Sequence, residues 1–296
     1  MADITLLDGS IGQELVKRSG DRATPLWSTR VMIDHPDLVG DVHKSYFDVG
    51  ATVATTNTYA VHRSRLERVD MVDQLPVLVE TALAQAERAS GGQGRIAGSL
   101  GPLLASYRPD LNPDPADAAE KFGELADLME DRVDLFLLET VSSVQEAEGA
   151  LRGVAGKDKP VWLALTVMDE DGTRLRSGEA LLDIAPLVEQ FDPQAVLINC
   201  SRPEAIPAAL DIVKGFGRPF GAYANGFTRI SEGFLKDAPT VDALEQRTDL
   251  GPDAYAAQAM GWVAQGASIV GGCCEVGPDH IAELARQLQV AGHRIV

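Results

Sequence analysis

Cysteine is scarce in this chain, with three among 296 residues. So small and odd a number argues against a disulfide framework and leaves metal binding, nucleophilic chemistry or plain burial for the thiols. Long apolar runs are missing too. None approaches the ~20 residues of a membrane-crossing helix, and the N-terminus, MADITLLDGS, has neither the basic region nor the long apolar core of a signal peptide. Positive charge is in short supply, with 26 Lys and Arg against 44 Asp and Glu and a net charge of −18. Such a surface repels phosphate backbones and anionic lipid, so neither nucleic acid nor a membrane is expected as a partner. These absences point to a cytoplasmic protein that handles small molecules. The acidity would draw in a cation, or serve solubility alone. Assembly into a homo-oligomer is left open.

What the chain has is alternation. Eight short apolar runs recur: ITLLD (4–8), TVATTNT (52–58), RIAGS (95–99), DLFLLET (134–140), PVWLALTV (160–167), AVLINC (195–200), PFGAYAN (219–225) and ASIVGGCC (267–274). Continuous apolarity marks them as strands buried on both faces. Segments with helical spacing separate them, from PDLVGDVHKSYFDVGA to GPDHIAELARQLQVAG. Eight strands alternating with eight helices predict an α/β fold, a closed (β/α)8 TIM barrel formed by a single domain over 1–296. An open doubly wound sheet is the second choice. Two connections exceed what a barrel requires. Residues 9–35 hold an extra helix, GQELVKRSG, and a loop with Trp27, and 226–251 form a mostly polar insertion. Both follow strands, and so belong to the C-terminal face where barrel enzymes build their sites.

The strand ends on that face carry Asp8, Asn57, Glu139, Asn199, Cys200, Tyr223 and the Cys273–Cys274 pair. All three cysteines end strands six and eight, close neighbours in a closed ring, so the thiols can converge. Adjacent residues of a strand point to opposite faces. The preceding Gly271 and Gly272 would permit a backbone bend that turns both thiols inward. Three thiolates with one open position describe a catalytic zinc site rather than a closed structural one. The alternative is that each cysteine is a small buried hydrophobe. Asp8 and Glu139, two carboxylates facing one pocket, suit an ammonium group, or else a salt bridge to a barrel cation. Trp27 and Tyr107 lie in loops of the same face and suit a methylated cation through cation–π attraction. Trp162 and Trp262 read as core.

In order and from end to end, LLDGSIGQELVKRSG, TNTYAVHRSRL, GSLGP, LLET, INCSRPEA and GGCC followed by GPDHI resemble the homocysteine S-methyltransferase family. The resemblance implies a barrel enzyme whose zinc is held by Cys200, Cys273 and Cys274. It implies that Asp8 and Glu139 receive the homocysteine amino group and that the backbone amides of Gly9 and Ser10 meet its carboxylate. Asn57, Asn199, Tyr223 and Trp27 are further candidate contacts for the two substrates. The implied reaction moves a methyl group from a small donor to the homocysteine thiol, giving methionine. A cationic donor suits the acidic chain, with S-methylmethionine or a related sulfonium ranked first, glycine betaine second and methylfolate third. A folate or corrinoid donor carried by a partner protein, and a non-catalytic thiol-binding barrel, are the alternatives. Two features depart from the S-methylmethionine branch: Glu275 stands where an Arg is usual, and Gly226-Phe227 follow Asn225.

Overall fold

A computed structural model of the protein describes residues 1–20, 26–230, 233, 235 and 244–296. The expected insertion at 226–251 therefore lies partly outside the described residues, as do 21–25 of the first long loop.

The strands are β1 (Asp3–Leu6), β2 (Val53–Thr55), β3 (Arg95–Leu100), β4 (Leu135–Val141), β5 (Val161–Leu165), β6 (Ala195–Asn199), β7 (Phe220–Tyr223), β8 (Ile269–Val270) and β9 (Arg294–Ile295). They are parallel and ordered β2-β3-β4-β5-β6-β7-β8-β1-β9. A parallel bridge between Leu7 and Val53, with Asp8 N donating to Val53 O at 3.1 Å, joins β1 to β2 and closes the ring. The closed (β/α)8 barrel thus stands and the open sheet does not. The ninth strand was not foreseen. It pairs with β1 through Asp3–Arg294 and Ile4–Ile295, while Thr52 Oγ1 donates to the Val296 carbonyl.

Helices follow the strands: α1 (Ile11–Ser19), α2 (Ser28–Asp34), α3 (Pro36–Asp48), α4 (Arg63–Leu66), α5 (Leu75–Ser90), α6 (Pro115–Met129), α7 (Val144–Val154), α8 (Ala185–Phe191), α9 (Ile206–Val213), α10 (Pro252–Gln265) and α11 (Pro278–Val290). Proline opens α3, α6, α10 and α11, where its missing N–H costs nothing and its fixed φ suits the first turn. None of the described helices is long and apolar enough to cross a membrane.

Two apolar layers follow from the period of two. Leu135 and Leu137 of β4 fill the barrel interior with Ala195, Leu197 and Trp162, whereas Phe136 and Leu138 pack outward under the helices. Tyr255 and Trp262 of α10 belong to that outer layer. This parity aims the strand ends. Glu139 continues the inward set of β4, and Tyr223 of β7 faces inward too. Cys200 would point outward by the same rule, but its φ of 45° breaks the strand, and its side chain lines the mouth of the barrel.

Candidate active site and metal centre

Glycine's role before the cysteine pair differs from expectation. β8 ends at Val270, so Cys273 and Cys274 sit in a turn and the alternation of a strand does not apply to them. Neither Gly271 nor Gly272 has a positive φ; that conformation falls on Glu275, just after the pair, at 65°. The glycines are needed for room. A Cβ on Gly271 would come within 2.4 Å of Leu7 Cβ, and one on Gly272 within 2.1 Å of Val276 Cγ1. The segment thus packs closely on Leu7, Asp8 and Gly9, just after β1.

The three sulfurs lie within 4.8 Å of one another. Cys200 and Cys273 are joined as a disulfide, Cα to Cα 5.7 Å, and Cys274 Sγ is free at 3.9 Å from Cys200 Sγ. This one bridge within the cluster is not the disulfide framework that so few cysteines argue against. Convergence tight enough to serve a metal also places two of the thiols within bonding reach. Opened by reduction, the cluster offers three soft ligands on one point, a donor set that fits zinc. Among the described residues no histidine or carboxylate belongs to it. Burial pushes the Cys274 thiol up to about 12, the Glu275 carboxylate adding to the shift. Without a cation beside it, this thiol stays protonated.

Beneath the sulfurs lies a cavity of about 110 Å³, lined by Asp8, Asn57, Glu139, Tyr223 and Trp27 from the sequence expectations. Thr55 holds Asp8 with both of its donors, the amide to Oδ2 at 2.6 Å and Oγ1 to Oδ1 at 2.7 Å. Burial nevertheless raises the Asp8 carboxyl to about 8, and the Glu139 charge adds to it. Burial likewise raises Glu139 to about 7, opposed by the Ser99 hydroxyl, and its Oε1 has no hydrogen-bond partner among the described residues. Two carboxyls short of solvation face a space whose described lining contains no Lys, Arg or His. The salt bridge offered as the alternative for this pair is absent among the described residues.

Other candidates fall differently. The Ser10 amide donates to Val276 O at 2.9 Å, so it is not free for a carboxylate. Uncapped by any side chain, α1 instead leaves the amides of Ile11, Gly12 and Gln13 at the cavity wall without intrahelical partners. Asn199 is fully buried and off the cavity wall, with both ends of its amide spent on Thr140. Asn57 Nδ2 donates to Ser28 O at 3.4 Å, and the Tyr223 hydroxyl has no hydrogen-bond partner among the described residues. Trp27 stacks on Tyr59 at 6.4 Å, and both Trp27 and Tyr107 pack near the cysteines. Sequence reasoning missed Thr55, Gln13, Tyr59 and Phe227. Thr55 sits one residue from an expected strand end, the only hint of its part. His280, on α11, pairs with the Leu250 carbonyl.

The profile of the homocysteine S-methyltransferase family matches residues 5–288. The chain belongs to that family. It is therefore a methyltransferase. The homocysteine S-methyltransferase of Escherichia coli K12 is 29% identical, covering 95% of this chain and 94% of its own. The homocysteine S-methyltransferase YbgG of Bacillus subtilis is 25% identical over 95% and 93%. Among solved structures, the metallated form of the Escherichia coli homocysteine methyltransferase MmuM superposes with a TM-score of 0.80 at 26% identity, covering 96% of each chain. Its oxidised form, at the same identity and coverage, gives 0.81.

Proposed function

We propose that this methyltransferase carries a methyl group from a small cationic donor, a sulfonium such as S-methylmethionine before glycine betaine, to the thiol of L-homocysteine, with zinc held by Cys200, Cys273 and Cys274. The observation that carries this reading is a single cavity with a three-sulfur cluster and two desolvated carboxyls on its wall. An amino acid with an ammonium at one end and a thiol at the other is the kind of ligand such a cavity suits. The names of the relatives and of the metallated neighbour support acceptor and metal.

When bound, zinc supplies the Lewis acidity that lets the acceptor sulfur lose its proton near neutral pH. The chain's residues do the rest. Asp8 and Glu139 take the ammonium between them and in doing so give up the protons that burial had kept on them. The first-turn amides of α1 offer a positive dipole end to the carboxylate. Trp27 and Tyr107 offer ring faces to the onium centre. A free thiol is a few per cent thiolate at pH 7, so full deprotonation contributes about 2 kcal/mol. In-line placement of sulfur and methyl contributes ~7–11 kcal/mol. Positioning by these side chains is therefore the larger share.

The test is a matrix of donors and acceptors, assayed for methionine with reduced, zinc-loaded protein. Methionine from homocysteine and S-methylmethionine is the expected product. No turnover with any sulfonium or betaine would overturn the donor assignment, and none with any donor would overturn the reading.

A further inference from the structure

The loop after β5 carries an ion pair that methyl transfer, as described, does not use. Residues 166–180 fold back on themselves through antiparallel bridges, Val167 with Leu175 and Arg174 with Ala180. Gly172 seats this hairpin on the neighbouring connection, since a Cβ there would come within 1.9 Å of the Ala205 carbonyl oxygen. Within the hairpin, Arg176 Nη2 donates to Asp169 Oδ1 at 2.7 Å, the side chains 11% and 5% exposed. Desolvation offsets most of what so dry an ion pair gains, and well-packed apolar residues would serve stability as well. Its value lies in what it holds.

Arg176 reaches two parts of the site. Nη2 also donates to the Cys200 carbonyl at 3.5 Å, and the guanidinium lies 5.1 Å from the centre of the Tyr107 ring. Thr166 Oγ1 reinforces the first contact, donating to the same carbonyl at 3.3 Å. This is the carbonyl of the one cysteine whose backbone is left-handed, a conformation that persists only when its surroundings impose it. Asp169 reaches a third part. Its Oδ2 accepts from the Ile230 amide at 3.2 Å, and Ile230 packs against the cluster of Cys200 and Tyr107.

We infer that Asp169 and Arg176 are positioning residues for methyl transfer, locking the Cys200 turn, the Tyr107 ring and the Ile230 cover into one unit. Loops after β3, β6 and β7 are thereby tied to the hairpin after β5. Sulfur ligand and cavity wall keep a fixed relation while the amino acid end, at Asp8 and Glu139, is untouched. A lysine would keep the charge and lose the planar fork that makes these contacts together.

The kinetic part of the test rests on the proposed reaction, and the spectroscopic part on the proposed metal site alone. Cobalt(II) loaded in place of zinc reports the sulfur geometry through its visible bands. Arg176→Met and Asp169→Asn should bind one cobalt per chain with altered bands, and Arg176→Lys should fall between them and wild type. With S-methylmethionine as donor, kcat/KM should drop about tenfold or more in the first two variants. Affinity for L-methionine, a thiol-free probe of the amino acid end, should stay within about twofold. Unchanged bands and donor kinetics in Arg176→Met would overturn the inference. So would a parallel fall of metal content, methionine affinity and thermal stability in all three variants, which marks plain structural support. Altered bands alongside a wild type that turns over no donor would uphold positioning and sink the reaction assignment instead.

Discussion

Asn199 grips Thr140 with both ends of its amide: Oδ1 accepts from the Thr140 backbone at 3.0 Å, and Nδ2 donates to its hydroxyl at 3.0 Å. Thr140 stands at a φ of 60°, unfavourable for a β-branched residue, and its chain neighbour is Glu139. The clamp fixes the backbone from which Glu139 reaches the cavity. Asn199→Ala should cost about 1–3 kcal/mol of stability, because the buried Thr140 amide loses its acceptor. It should also weaken binding of the amino acid end. Denaturant unfolding and calorimetric titration with L-methionine measure the two. Full methionine affinity in a destabilised protein would show that Glu139 does not depend on the clamp.

Protonation of Asp8 and Glu139 gives binding and stability opposite pH dependences. Unfolded, these carboxyls ionise near 4; folded, burial holds them to about 8 and about 7. Between about pH 4 and 8 the folded chain therefore binds more protons than the unfolded one, and stability contributed by this pair falls as pH rises. An incoming ammonium must displace those protons, so L-methionine affinity should climb between pH 6 and 8. The slope approaches tenfold per unit for each proton released. Glu139→Gln removes one proton from this exchange and should flatten the climb. A pH-independent affinity in wild type would mean that the carboxyls do not meet the ammonium.

Repetition made the barrel legible. Each parallel strand announces itself as an apolar run, and the polar residue that ends it is visible where the run stops, as at Asp8 and Glu139. The three thiols were legible for the same reason. What lies one step behind them was not. Arg176 and Asp169 sit in a polar loop of ordinary composition, and Asn199 looks like a strand-end ligand although its amide is turned on Thr140. Ring closure draws these residues together across distances that no local pattern records. Strand β9 is two residues long, too short to show a period.

Reduction should govern the metal. In the oxidised chain Cys200 and Cys273 are joined and only Cys274 is free. Thiol titration of oxidised protein should find one reactive group under denaturing conditions, and three after reduction. Zinc should bind at about one per chain only to the reduced form. Cys274→Ser separates the two properties: it keeps the bridge and loses the metal, together with methyl transfer. Circular dichroism should stay unchanged on chelation, because the barrel is closed by its strands. Equal zinc uptake by oxidised and reduced protein would remove the cysteine cluster as the site.

The donor is tested at the aromatic wall. Trp27 stands at a φ of 51°, half-buried and stacked on Tyr59, and Tyr107 at 61°; both are backbone conformations rare for aromatic residues. Arg176 already holds a cation over Tyr107, so the donor is tested at Trp27. An aromatic face stabilises an onium by about 0.5–2 kcal/mol. That predicts a 2- to 30-fold loss of kcat/KM for a sulfonium donor in Trp27→Ala, by roughly 1.4 kcal/mol per tenfold. Trp27→Phe should recover part of it, and L-methionine affinity should hold. A neutral or anionic donor would lose far less, so the wild-type to Trp27→Ala ratio, measured donor by donor, ranks them by charge at the reacting centre. Robust turnover with methylfolate, unaffected by Trp27→Ala, would reverse the ranking and take Trp27 out of the donor site.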